Sequence, residues 1–492
     1  MSEVDTGNDV DRSASEKSRN VRLIGSMGVP ALVLTVLAFS APMSVVEGFL
    51  PLAIGFGGPG AVFAVLITTI VLLLFASGYV TMARHVPKPG AFYAFISAGL
   101  GKITGLGAAF LAVFGYMCVI GGSFIFLGLN IENLIESMVG IHSSWVFWAV
   151  FGWAVVGVLG YFHIELSAKI LSVAMVFEVL IVVIFNCFVL GKGGAEGLQI
   201  SPFTPSAFSQ GNMATTLLFA ILVFMGFEAT ALFRDEVREP NKTIPRATYG
   251  AVLFIGVLYT FSTYSLVSAY GVDAWEVAKN RPTEMFAQAA GHFVAPVFTQ
   301  IAYVSVVISI FAAVLAIHNV ISRYVFSLAV DKVLPRSLAK IHKKHCSPYI
   351  ASLVVSVVVG LAMIPGLGSI PGEVLYGVVT GIGAIAVIFL MGLVSCAVVA
   401  WFLINGTPKG VSKFKTFWAP GFSAIMLIGT TIFACVHLEV ILGGEPSQND
   451  WVIVMMAGVF MLGVIIATYF RCFKPSNYTA LGSAVDVIDN AV

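Results

Sequence analysis

Phe224-Met225-Gly226-Phe227-Glu228 sits inside an apolar run, Met213–Leu232, that is long enough to cross a bilayer. A helix needs about 20 apolar residues to do so, and here a glycine and a carboxylate interrupt it. Backbone that unwinds at membrane depth survives only where it is buried in protein or lines a cavity. A second interruption lies in the first apolar run, Val29–Ile54, which reads Phe39-Ser40-Ala41-Pro42-Met43-Ser44 at its middle. Pro42 removes a backbone donor and pushes Ala41 out of the helical region. The two breaks are five spans apart, so they occupy equivalent positions if two five-helix units are repeated. Paired interruptions of this kind point to a transporter's central site.

Working outward, apolar residues make up 58% of the 492-residue chain and charged residues 10%, with a mean hydropathy of +0.97. Soluble domains carry roughly 25% charged residues, so lipid is the expected solvent for most of this chain. A formal net charge of +1 excludes a basic nucleic-acid binder. The remaining expected spans are Ala61–Met82, Leu106–Leu129, Trp145–Phe162, Ile170–Leu190, Thr248–Tyr270, Phe293–Ile317, Tyr349–Ile364, Leu375–Leu403, Trp418–Leu442 and Trp451–Phe470. The total is thus about twelve, with Pro365 breaking the chain after the ninth. Of the 26 Lys and Arg, only Lys192, Lys279 and Arg281 fall outside the tails and the loops on their side, chiefly 83–105, 233–247, 319–348 and 404–417. The positive-inside rule then predicts a multi-pass protein of the cell membrane with both termini cytoplasmic. No cleaved leader is expected before the first span, since residues before Val21 are polar and charged. The expected layout is an N-tail over 1–24, a membrane domain over 25–471 and a C-tail over 472–492.

Glu47, Glu178 and Glu228 lie inside spans, and no Lys or Arg lies deep in any of them. A charge at the bilayer centre costs roughly 2.5–3.5 kcal/mol on insertion scales. These carboxyls must therefore face the bundle interior, carry protons or bind something positive. Structural hydrogen bonding is the plain alternative for each, most of all for Glu47, the nearest to the outer surface.

Gly226-Phe227-Glu228-Ala229-Thr230 is followed by Asp235-Glu236-Val237-Arg238-Glu239-Pro240-Asn241-Lys242-Thr243-Ile244-Pro245-Arg246-Ala247. This stretch resembles the amino acid–polyamine–organocation (APC) permeases. Pro87-Lys88-Pro89-Gly90-Ala91-Phe92-Tyr93 resembles the segment after their second helix, and Asn319, Ser322, Arg323 and Leu334-Pro335 the segment after the eighth. The resemblance implies an all-α integral membrane protein of the LeuT type. Two inverted repeats of five helices, over about 25–190 and 208–403, would be followed by peripheral helices at about 418–470. It also implies alternating access about a site between helices 1, 3, 6, 8 and 10. The substrate-binding residues so implied are Ser40, Ala41, Met43, Ser44, Tyr116, Phe224, Gly226 and Glu228. Many relatives have a glycine-rich break in helix 1; here Pro42 leaves Met43 and Ser44 as the amides that could meet a carboxylate. Glu178 falls where some proton-linked relatives carry a lysine, so it is the coupling candidate. The helix-8 hydroxyls Ser305 and Ser309 offer sodium an alternative site.

Other signals carry less. Gly55-Phe56-Gly57-Gly58-Pro59-Gly60 matches a dinucleotide fingerprint, but no strand precedes it and a tight turn is expected. His342 and His345 lie among lysines and read as a solvated basic face. The six scattered cysteines suggest neither a zinc site nor a disulfide framework, no catalytic motif supports an enzyme, and no cofactor or metal is implied. The expected function is secondary active, proton-coupled import of an amino acid or amine by alternating access, with sodium as the alternative coupling ion. The alternatives are a polyamine carrier, an exchanger, or a transporter-like nutrient sensor, which would call for a longer cytoplasmic tail.

Overall fold

The computed structural model describes residues 27–86, 92–162, 168–231, 237–342, 347–363, 366–445 and 448–481. The N-tail, most of the C-tail, Pro87 to Ala91, Asp235-Glu236, His345 and Pro365 lie outside the described residues. Apart from an isolated parallel bridge between Met27 and Val237, regular structure among the described residues is helical. Among the described residues, eight helical stretches are long and apolar enough to cross a membrane, and three shorter apolar helices accompany them. This is an all-α membrane protein.

The first expected span is two helices rather than one. Helix α1 (Val29–Ser40) ends at Ala41, whose φ of 48° and ψ of 72° are left-handed. Pro42 then starts a short turn, a π-helical turn follows over Val45–Phe49, and α2 (Leu50–Gly57) completes the span. Gly58, at φ 56°, makes the tight turn into α3 (Ala61–Ala83), as the glycine spacing suggested. The sixth span breaks likewise. Helix α7 (Met213–Leu222) is capped by the Asn212 side chain, which accepts from the Thr215 amide at 3.0 Å. It ends before Gly226, whose φ of 112° few residues but glycine adopt, and a 3₁₀ turn follows over Phe227–Ala231.

The other long elements are α4 (Lys102–Val139), α5 (Trp145–Tyr161), α6 (Ala168–Lys192), α8 (Pro240–Tyr270), α9 (Val297–Val330), α10 (Tyr349–Met363), α11 (Gly372–Asn405), α12 (Ala419–Val436) and α13 (Asp450–Phe473). Several outrun their apolar windows. Asn319, Ser322 and Arg323, expected in the loop 319–348, ride on α9, because polar residues end a hydrophobic span without ending a helix. Phe92–Leu100, inside the expected loop 83–105, is a separate short helix that buries Phe92, Phe95, Ile96 and Gly99.

Helix α4 is the hub, packing on α11, α9, α13 and α5. Small residues permit the close approach. A methyl group added at Gly128 would lie 2.4 Å from the Trp145 carbonyl on α5, and one at Gly463 2.5 Å from the Leu106 carbonyl. The outward faces suit lipid: Val173, Val176, Phe177 and Leu180 on α6, and Val454, Leu462 and Ile465 on α13, are exposed.

Candidate functional site

The two breaks meet. A cavity of about 40 Å³ lies between them, lined by Ser40, Ala41, Ser44, Val45 and Phe49 of the first span and Leu222 and Met225 of the sixth. Helix α4 contributes Val119, Ser123 and Phe126, and α9 contributes Ile310, Ala313 and Ile317. The lining is apolar except for three serine hydroxyls, and it includes no charged residue among those described. Ser44 is 8% exposed and its Oγ has no hydrogen-bond partner, so it is free to meet a ligand. The Ser40 hydroxyl is shared with the Tyr259 phenol at 3.2 Å.

Of the residues singled out in the sequence, Ser40, Ala41 and Ser44 line this cavity, and the others are not among its lining. The Met43 amide is already engaged, donating to Glu178 Oε2 at 3.1 Å. The Ser309 hydroxyl donates to the same oxygen at 2.9 Å. Glu178, 6% exposed on α6, thus joins the start of the first span's second half to α9. Charge-assisted bonds of this kind are the stronger ones, and the half-helix N-terminus adds a favourable dipole.

Glu228 closes a different network. Its Oε2 accepts from the Gly226 amide at 2.8 Å, and its backbone carbonyl accepts from the Tyr79 phenol at 2.8 Å. The Tyr116 phenol lies close to the Glu228 carboxyl, and the Tyr116 ring lies 6.4 Å from that of Tyr324. Glu228 therefore caps its own broken helix, and Phe224 is fully buried beside it. The apolar liners on α4 and α9 and the tyrosines Tyr79 and Tyr259 carried no sequence signal. An apolar residue or tyrosine inside a span reads as packing until a cavity or a partner is seen.

Comparison with known proteins supplies the family. The family model described as amino acid permease matches residues 31–465. The branched-chain amino acid permease BcaP of Bacillus subtilis is 24% identical over 313 residues, covering 60% of this chain and 65% of that protein. Its namesake from Lactococcus lactis is 27% identical over 319 residues, covering 59% and 65%. The low-affinity putrescine importer PlaP of Escherichia coli is 21% identical over 363 residues, covering 71% and 77%. The chain spans just under two thirds of the length of the branched-chain permeases it matches. With a match running through both breaks and the helices around them, this chain belongs to the amino acid permease family.

Proposed function

We propose that this protein is a secondary active transporter, carrying amino acids with apolar side chains across the cell membrane by alternating access coupled to protons. The cavity carries the reading. Its apolar walls, Val45, Val119, Leu222, Met225 and Ile310, suit a hydrocarbon side chain, and the unpartnered Ser44 hydroxyl supplies a polar contact. A polyamine would call for carboxylates in the lining, and the described lining has none. Ligand pockets hold about 300–1,000 Å³, so this one is contracted, as a state between two access conformations would be. The two broken spans, in corresponding places of the chain, support a repeat of five helices with the site at its axis.

Glu178 is the coupling group in this reading, since it ties the second half of the first span to α9 through one oxygen. Neutralising that carboxylate weakens both bonds together. Glu228 holds the sixth-span break open. The basic-residue bias supports cytoplasmic termini.

Competition in proteoliposomes tests the substrate. Leucine, isoamylamine, 4-methylpentanoate and putrescine would each be offered against labelled leucine. Inhibition by leucine and by neither the amine nor putrescine is the expected pattern. Uptake blocked by putrescine and untouched by apolar amino acids would sink the assignment.

A further inference from the structure

Glu47 is an intramembrane carboxyl that the central cavity does not use. Its side chain is 0% exposed, and neither carboxylate oxygen has a hydrogen-bond partner. The Ala287 amide is near, but no bond of ordinary geometry forms. The π-helical turn that carries Glu47 packs on the segments Pro282–Glu284 and Met285–Phe293, and its charged neighbours are Glu284 and Glu373. Glu373, in the first turn of α11, accepts from the Thr283 hydroxyl through Oε1, while its Oε2 is shielded from solvent and has no partner. Three carboxylate oxygens on two residues are therefore shielded and unbonded.

Buried polar groups are nearly always paired. An ionised carboxylate left unpaired in a low-dielectric interior costs several kcal/mol. The other titratable groups facing the pair are Tyr270 and Tyr303 toward Glu47, and Tyr376 and Glu132 toward Glu373. None is basic. Arg281 is exposed and acts on Glu284. Among the described residues no three His, Cys, Asp or Glu are grouped to hold a metal ion. A proton satisfies the chemistry, because it removes a charge and converts an acceptor into a donor.

A route exists. A cleft of about 430 Å³ opens beside Tyr270, Glu276, Asn280, Arg281, Glu284 and Gln288, at the end of the bundle away from the basic loops. Glu284 belongs both to this cleft and to the acidic group. Burial lifts its carboxyl above the ordinary range, against the lowering effect of Arg281 and reinforced by Glu136.

We propose that Glu47 and Glu373 form a second proton-binding site, reached from outside through the Glu284 cleft and distinct from Glu178. The two carboxyls sit on the first span's second half and on α11, so their charge state sets how closely those elements approach at that end.

The proposal rests on the membrane setting of the family and not on the substrate or on Glu178. It is tested on purified wild-type protein in liposomes with dicyclohexylcarbodiimide, an apolar reagent that couples to protonated carboxyls. Adducts are mapped by peptide mass spectrometry from mildly acidic to mildly basic pH. Glu47 or Glu373 should be labelled, with a yield that falls several-fold as the pH rises. In Glu373→Gln the remaining Glu47 profile should move to lower pH, since a neighbouring negative charge is gone. Glu178→Gln should leave both profiles in place, which separates this site from the coupling reading. The absence of adduct on both residues, or a yield constant with pH, overturns the proposal. A Glu47 profile unmoved in a well-folded Glu373→Gln protein overturns the shared site, and the wild-type pH series decides the matter if that variant does not fold.

Discussion

Glu178 is the residue on which the transport reading turns. Its Oε2 accepts from Met43 and Ser309 at once, so a backbone amide of the broken span and a hydroxyl of α9 depend on one atom. Glu178→Gln keeps a carbonyl oxygen to accept one of them and removes the charge that strengthens both. The variant should fold and should still exchange internal for external substrate. Uptake driven by a pH gradient should fall by about tenfold or more, the equivalent of about 1.4 kcal/mol. Parallel measurements of exchange and of gradient-driven uptake would show it. Equal rates in both assays for wild type and variant would return Glu178 to a packing role. Its neighbour Ala41 stores strain at the same break, since a non-glycine residue in the left-handed region costs roughly 1–2 kcal/mol.

At the scale of elements, the cavity walls are positioned by helix pairs that approach closely. Helices α4 and α11 are one such pair. A methyl group at Gly383 would lie 2.9 Å from the Val119 amide nitrogen and 3.0 Å from the Gly115 carbonyl oxygen, and backbone atoms cannot rotate away. Val119 lines the cavity, so parting the two helices also moves its wall. Gly383→Ala should therefore lower stability by about 1–3 kcal/mol, the usual range for overpacking. It should also weaken substrate affinity. Thermal denaturation in detergent checks the first expectation, and ligand-induced shift of the same transition checks the second. A melting curve that overlays the wild type would mean that α11 yields more easily than its contacts indicate.

For the whole molecule, the distribution of basic residues makes the clearest statement. With 23 of 26 Lys and Arg on one side, the segment that includes Ala195 is expected outside and the one that includes Lys340 inside. In a background without native cysteines, Ala195→Cys should react with an impermeant maleimide in intact cells. Lys340→Cys should react only after the membrane is opened. Labelling of Lys340→Cys in intact cells would invert the map, and with it the side on which the Glu284 cleft opens. Much of the bundle was legible from hydropathy, as each expected span overlaps a helix among the described residues. Helix ends were not, as α9 shows by running to Val330. Hydropathy registers where lipid stops, while hydrogen bonding carries a helix on into water.

By itself the sequence determined that this chain lives in a membrane and that its first and sixth spans are broken. Those are local properties: apolar length fixes insertion, the ring of Pro42 disrupts the backbone it belongs to, and the left-handed turn of the sixth span needs Gly226. Only the tertiary structure decided what the intramembrane carboxyls face. Glu178 finds partners 135 and 131 residues away, Glu228 turns back to Gly226 two residues before it, and Glu47 is buried without a bond, with Glu373 as a charged neighbour. Three glutamates that look alike in a one-dimensional reading were given three environments, because helix packing and the local course of the backbone together decide which donors each carboxyl reaches.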